Sequence, residues 1–103
     1  MNANLLVPKK RIAAFCRSNR IVRLAIFGSA LKEDFGPQSD VDILVRFEDG
    51  VSVSLFDMNR MAAELESIFG RDVDLVSQKG VEQSSSHLRR KAILDSAEPV
   101  YEL

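Results

Sequence analysis

The sequence predicts an α/β (α+β) fold in which a small mixed β-sheet is packed with helices. Two features lead to this. Segments whose apolar residues recur at helical spacing alternate along the chain with short β-branched runs, the order from which layered α/β arrangements are built. The turn after the middle strand, Glu48-Asp49-Gly50, leads into a helical segment, so the strands on either side of it need not form a hairpin. At 103 residues, one domain spanning 1–103 is expected, with two or three layers around the sheet.

The elements follow in order. Pro8 fits the first turn of a helix over the KKRIAAFCRSN segment, with Ile12, Phe15 and Cys16 on one face. Residues 21–27 form an apolar, β-branched run that reads as a buried strand and stops at Gly28. Ser29 to Lys32 opens a short helix, and Glu33 to Ser39, with Gly36 and Pro37, reads as a loop. A second strand runs from about Asp40 to Phe47. Val41, Ile43 and Val45 take one face, with Asp40, Asp42 and Leu44 on the other. From Ser54 to Phe69 the spacing of Met58, Met61, Leu65, Ile68 and Phe69 is helical, with Gly70 as the stop. A third strand covers Val73 to Val76, the polar stretch Ser77 to Ser86 reads as a loop, and a last helix spans His87 to Ser96. Pro99 to Glu102 adds a short edge strand.

Fourteen basic and fifteen acidic residues leave a net charge of -1. That balance argues against a dedicated nucleic-acid binder. The single cysteine, Cys16, has no internal partner, which suits a reducing compartment. No apolar run is long enough to span a bilayer, and the start MNANLLVPKKR does not read as a secretory signal. A cytoplasmic location is expected.

Asp40 and Asp42 lie two residues apart on a strand and so point to one face. Carboxylates this close repel unless a cation lies between them, and their register is held by the buried neighbours Val41 and Ile43. They are hard oxygen ligands of the kind magnesium takes. Asp74, inside Val73-Asp-Leu75-Val76, is the candidate third carboxylate for a two-ion site. Each aspartate alone is more simply a solvated strand-face side chain; the combination is what points to a metal. Gly28-Ser29 ends a buried strand where a helix begins, an arrangement whose free N–H groups suit a phosphate. An ordinary turn with Ser29 as the N-cap is the plainer alternative.

The stretch from Leu24 to Val45, with Gly28-Ser29 and then Ser39-Asp40-Val41-Asp42 after a spacer of about ten residues, resembles the signature of the DNA-polymerase-beta-like nucleotidyltransferase superfamily. The whole chain looks like the minimal nucleotidyltransferases paired with HEPN (higher eukaryotes and prokaryotes nucleotide-binding) proteins. The resemblance implies the polymerase-beta-like fold. It further implies that Asp40 and Asp42 bind two magnesium ions, with Asp74 as a third carboxylate placed to activate the attacking hydroxyl. Gly28 and Ser29 would hold the triphosphate of ATP, supported by Ser39. The implied activity is transfer of AMP to a hydroxyl, a tyrosine of a HEPN toxin, with the chain acting as antitoxin; a homo- or hetero-oligomer is compatible with the sequence, which leaves the oligomeric state open. Many relatives carry arginines just after the Gly-Ser, where this sequence has Ala30 and Lys32. That departure motivates the alternative, a non-catalytic antitoxin that neutralises its partner by contact.

Of the remaining features, Arg89-Arg90-Lys91 reads as a solvated helix face, with contact to phosphates or an acidic partner as the other option. His87, the only histidine, has no neighbour suited to zinc. The Met58, Met61, Leu65 stripe reads as core.

Overall fold

The computed structural model describes residues 7–28, 40–83 and 85–103. The expected helix and loop between Ser29 and Ser39 lie outside them. Pro8 precedes helix α1 (Lys9–Ser18), and its carbonyl accepts the first helical bond, from the Ile12 amide. Ile12, Phe15 and Cys16 are all buried, as their spacing requires. The chain reverses at Arg20, whose φ of 57° is left-handed, and enters strand β1 (Ile21–Phe27). Strand β2 (Val41–Phe47) follows.

Helix α2 (Leu55–Phe69) is closed at both ends by its own sequence. The Ser54 hydroxyl accepts from the Asp57 amide, and the Asp57 carboxylate accepts from the Ser54 amide, a reciprocal capping box. Gly70, at φ +71°, ends the helix in the left-handed conformation. The chain then returns as strand β3 (Val73–Ser77), whose first amide donates to the Glu66 carboxylate of α2. Because β2 and β3 are joined through a helix, they pair in parallel.

Beyond β3 the structure differs from the sequence expectation. Part of the predicted loop is a short helix, α3 (Gln78–Glu82), capped by the Ser77 hydroxyl and held down by buried Val81. A five-residue turn has too few apolar positions to show a period, so packing alone reveals it. Helix α4 (His87–Ser96) starts at a Ser86 cap, and strand β4 (Glu98–Glu102) completes the sheet. The strand order is β3-β2-β1-β4, with β1 antiparallel to both neighbours. Pro99 sits in edge strand β4, where a missing N–H is tolerated.

The sheet is covered on both faces, which resolves the two-or-three-layer alternative in favour of three. One core joins Ile12, Phe15 and Cys16 of α1 and Met61 and Leu65 of α2 to the sheet residues Leu24, Ile26, Val41, Ile43 and Val45. The other is smaller, and brings Val81 of α3 and Ile93 of α4 against Ala25, Phe27 and Leu44. Among the described residues no helix is long and apolar enough to cross a membrane.

Candidate active site

The alternation of β2 decides where its acidic residues point. Val41, Ile43 and Val45 are fully buried on the α1–α2 side, whereas Leu44 belongs to the core under α4. Asp42 shares the side of Leu44. In β3, Leu75 packs towards the first core and Val76 towards the second, so Asp74 also faces the α4 side. The parallel register sets Asp42 directly opposite Asp74. Adjacent strands lie about 4.8 Å apart, which makes these carboxylates immediate neighbours on one face.

The other side of Asp42 is closed by the end of β1. Phe27 is its antiparallel partner, and Gly28 follows at φ +69°. A Cβ added to Gly28 would run into Oδ2 of Asp42. The bare backbone of this position is therefore what lets the strand end and the carboxylate approach each other.

An open depression of about 330 Å³ lies over this corner. Gly28, Asp42 and Asp74 form its floor, and α4 supplies its wall through Arg89, Ala92 and Ser96. These positions share one helical face with Ile93, which anchors α4 in the second core. Reading the Arg89-Arg90-Lys91 run as a solvated face captures the exposure of Arg89 and Lys91 but not the half-buried Arg90, and it misses the position of Arg89. The signal was its i+3, i+4 and i+7 relation to Ala92, Ile93 and Ser96, which acquires meaning only once the helix is known to lie over that face.

The predicted site residues are thus brought together in part. Gly28, Asp42 and Asp74 meet in one depression. Asp40 is exposed, one residue before β2, and is not among the walls. Ser29 and Ser39 lie outside the described residues. Among the described residues no three Asp, Glu, His or Cys side chains are gathered to hold one ion; Asp42 and Asp74 form a pair. Two side-by-side carboxylates nevertheless suit a magnesium ion, which usually takes one or two protein carboxylates and completes its shell with water and substrate phosphates.

The profile of the nucleotidyltransferase domain family matches residues 9–100. A candidate protein adenylyltransferase of Methanocaldococcus jannaschii is 35% identical over 81 residues, 79% of this chain and 83% of its own length. A second from the same organism is 31% identical over 62 residues, 60% of this chain and 62% of its own length. Among solved structures, a minimal nucleotidyltransferase superposes with a TM-score of 0.67 at 32% identity, covering 88% of this chain and 87% of that one. A toxin–antitoxin complex with AMP-PNP matches with a TM-score of 0.73 at 21% identity, over 94% of this chain and 75% of that one. A complex from Shewanella oneidensis, of a tri-AMPylated HEPN toxin with its minimal nucleotidyltransferase antitoxin, matches at 22% identity with a TM-score of 0.65, over 92% and 70% of the two chains. The last two likenesses establish the fold.

Proposed function

The chain belongs to the nucleotidyltransferase domain family, and from that premise we propose that it transfers AMP from ATP to a tyrosine hydroxyl of a HEPN-domain toxin, silencing it as a cytoplasmic antitoxin. The observation that carries this reading is the direct pairing of Asp42 with Asp74 beside Gly28. Two further facts support it: the M. jannaschii relatives are candidate protein adenylyltransferases, and the S. oneidensis toxin carries AMP in complex with its antitoxin.

In this mechanism Asp42 and Asp74 would hold magnesium, and Asp40, exposed one residue before β2, would be the further ligand of a two-ion site that the family resemblance implies. The ions, when bound, supply charge neutralisation for the triphosphate. Gly28, whose bare backbone admits the Asp42 carboxylate, would offer its backbone to the phosphates, the role the family resemblance also gives to Ser29 and Ser39. Asp74, exposed on the floor of the depression, accepts the proton of the attacking tyrosine hydroxyl. That oxygen bonds to the α-phosphorus as the bond from the α-phosphorus to the α,β-bridging oxygen breaks, and the electron pair leaves with pyrophosphate. Positioning and charge stabilisation carry most of such a reaction.

The test is incubation of the chain with its HEPN partner, ATP and magnesium, followed by the intact mass of the partner. The expected result is addition of AMP, abolished in Asp42→Ala. A contact-only antitoxin, favoured by the pairing of only two carboxylates among the described residues, predicts unmodified partner and full neutralisation by Asp42→Ala. That outcome would overturn the enzymatic reading.

A further inference from the structure

The three consecutive cations of α4 have three different fates. Lys91 reaches Asp95 at 3.0 Å, a solvent-exposed i,i+4 pair. Arg90 turns towards α3, donating to the Glu82 carbonyl at 3.4 Å and lying 2.9 Å from Nδ1 of His87. It ties the two small helices together. Arg89 does neither. Its backbone amide is taken by the Ser86 cap, and among the described residues its guanidinium has no hydrogen bond or ion pair. Yet it forms part of the wall of the depression floored by Gly28, Asp42 and Asp74.

Its place is fixed rather than accidental. Ile93, four residues on, is buried against Phe27 and Leu44, so the stripe of α4 that carries Arg89 is held over the sheet face that carries Asp42. A guanidinium standing beside two carboxylates without bonding to either is poised for an anion that enters between them. A neutral hydroxyl acceptor needs no such charge, whereas a triphosphate does, because its roughly four negative charges, added to those of Asp42 and Asp74 in the same depression, exceed what a pair of divalent ions offsets.

We infer that Arg89 is a substrate-binding residue that grips the polyphosphate of the nucleotide from the α4 side, opposite the Gly28 backbone. The inference rests on the reading of the depression as a nucleotide site. Its planar fork matches two non-bridging phosphate oxygens at once. In the transfer step this contact stabilises charge gathering on the departing pyrophosphate.

Displacement titrations on the full chain with magnesium test it, using a fluorescent non-hydrolysable ATP analogue with magnesium tripolyphosphate as the competitor. Tripolyphosphate has no base or sugar, so it reports the phosphate grip alone. Arg89→Ala is expected to weaken both probes by about tenfold or more, and Arg89→Lys to recover only part, since an ammonium cannot make the two-pronged contact. Lys91→Ala should bind as the unaltered protein does. Because Arg89 is exposed, the thermal midpoint of Arg89→Ala without nucleotide should be unchanged, which a merely structural role would not give. If the unaltered chain binds the analogue and Arg89→Ala binds both probes equally well, the inference falls and the nucleotide site stands. If the unaltered chain binds neither probe, the site reading and the inference fall together.

Discussion

A methyl group at position 28 would meet two obstacles at once. The backbone there has φ +69°, costing a non-glycine residue roughly 1–2 kcal/mol, and the added carbon would displace the Asp42 carboxylate. Gly28→Ala should therefore lower the urea midpoint by an amount matching about 1–2 kcal/mol and abolish nucleotide transfer. A change in stability alone would separate the two effects. Cys16 shows what burial does to an ionisable group. It is fully buried, and desolvation, opposed by Arg17, pushes its thiol up to about 12. The unfolded thiol ionises first, so stability holds below about pH 9 and is lost as pH rises from there towards 12. Denaturation curves across that range should fall less steeply for Cys16→Ala. Asp42 was legible in the sequence because a period of two assigns faces, Asp74 because a charge inside a short apolar run needs a reason, and Gly28 because it ends a buried strand. The same period also put Asp40 on that face, yet Asp40 is not among the walls. For Arg89 phosphate contact was only the second option for its run, since no local pattern says which sheet face a helix covers.

For the elements, caps and periods told most of the story. Helix α2 was delimited by its period from Ser54 and by Gly70, which takes the expected stop role, while Ser54 stands just outside the helix as its cap. Ser54→Ala should cost about 1 kcal/mol in thermal or urea denaturation. The Ser54 amide, then its hydroxyl, hold the Asp57 carboxyl below its ordinary value. The stabilisation from this pair is thus present at neutral pH and lost on acidification through that lowered value. Helix α3 escaped the sequence because its hold on the fold comes from one residue, Val81. Helix α4 also rests on few contacts, with Ile93 as its buried residue. Ile93→Ala should lower stability by about 2–4 kcal/mol and also weaken nucleotide binding, because the wall carrying Arg89 loses its anchor. An equal loss of stability from a substitution in the other core, such as Leu65→Ala, should leave binding intact at temperatures where the chain stays folded.

Across the whole molecule, the alternation of helices and strands predicted a mixed sheet, and the β3-β2-β1-β4 order is that sheet. The number of layers was open in the sequence, because an amphipathic helix does not declare which side of a sheet it will cover. The crossover through α2 makes β2 and β3 parallel and in register, so that Asp42 meets Asp74; that meeting is a property of the topology, and neither strand carries it alone. If the two carboxylates work as one divalent-ion site, their contributions cannot be independent. Manganese affinity in the presence of the ATP analogue, measured for the unaltered chain, Asp42→Asn, Asp74→Asn and the double variant, tests this most directly. Each single substitution should remove nearly all of the affinity, with the double no worse than either. Additive losses, or an Asp74→Asn variant that binds manganese as well as the unaltered chain, would contradict it.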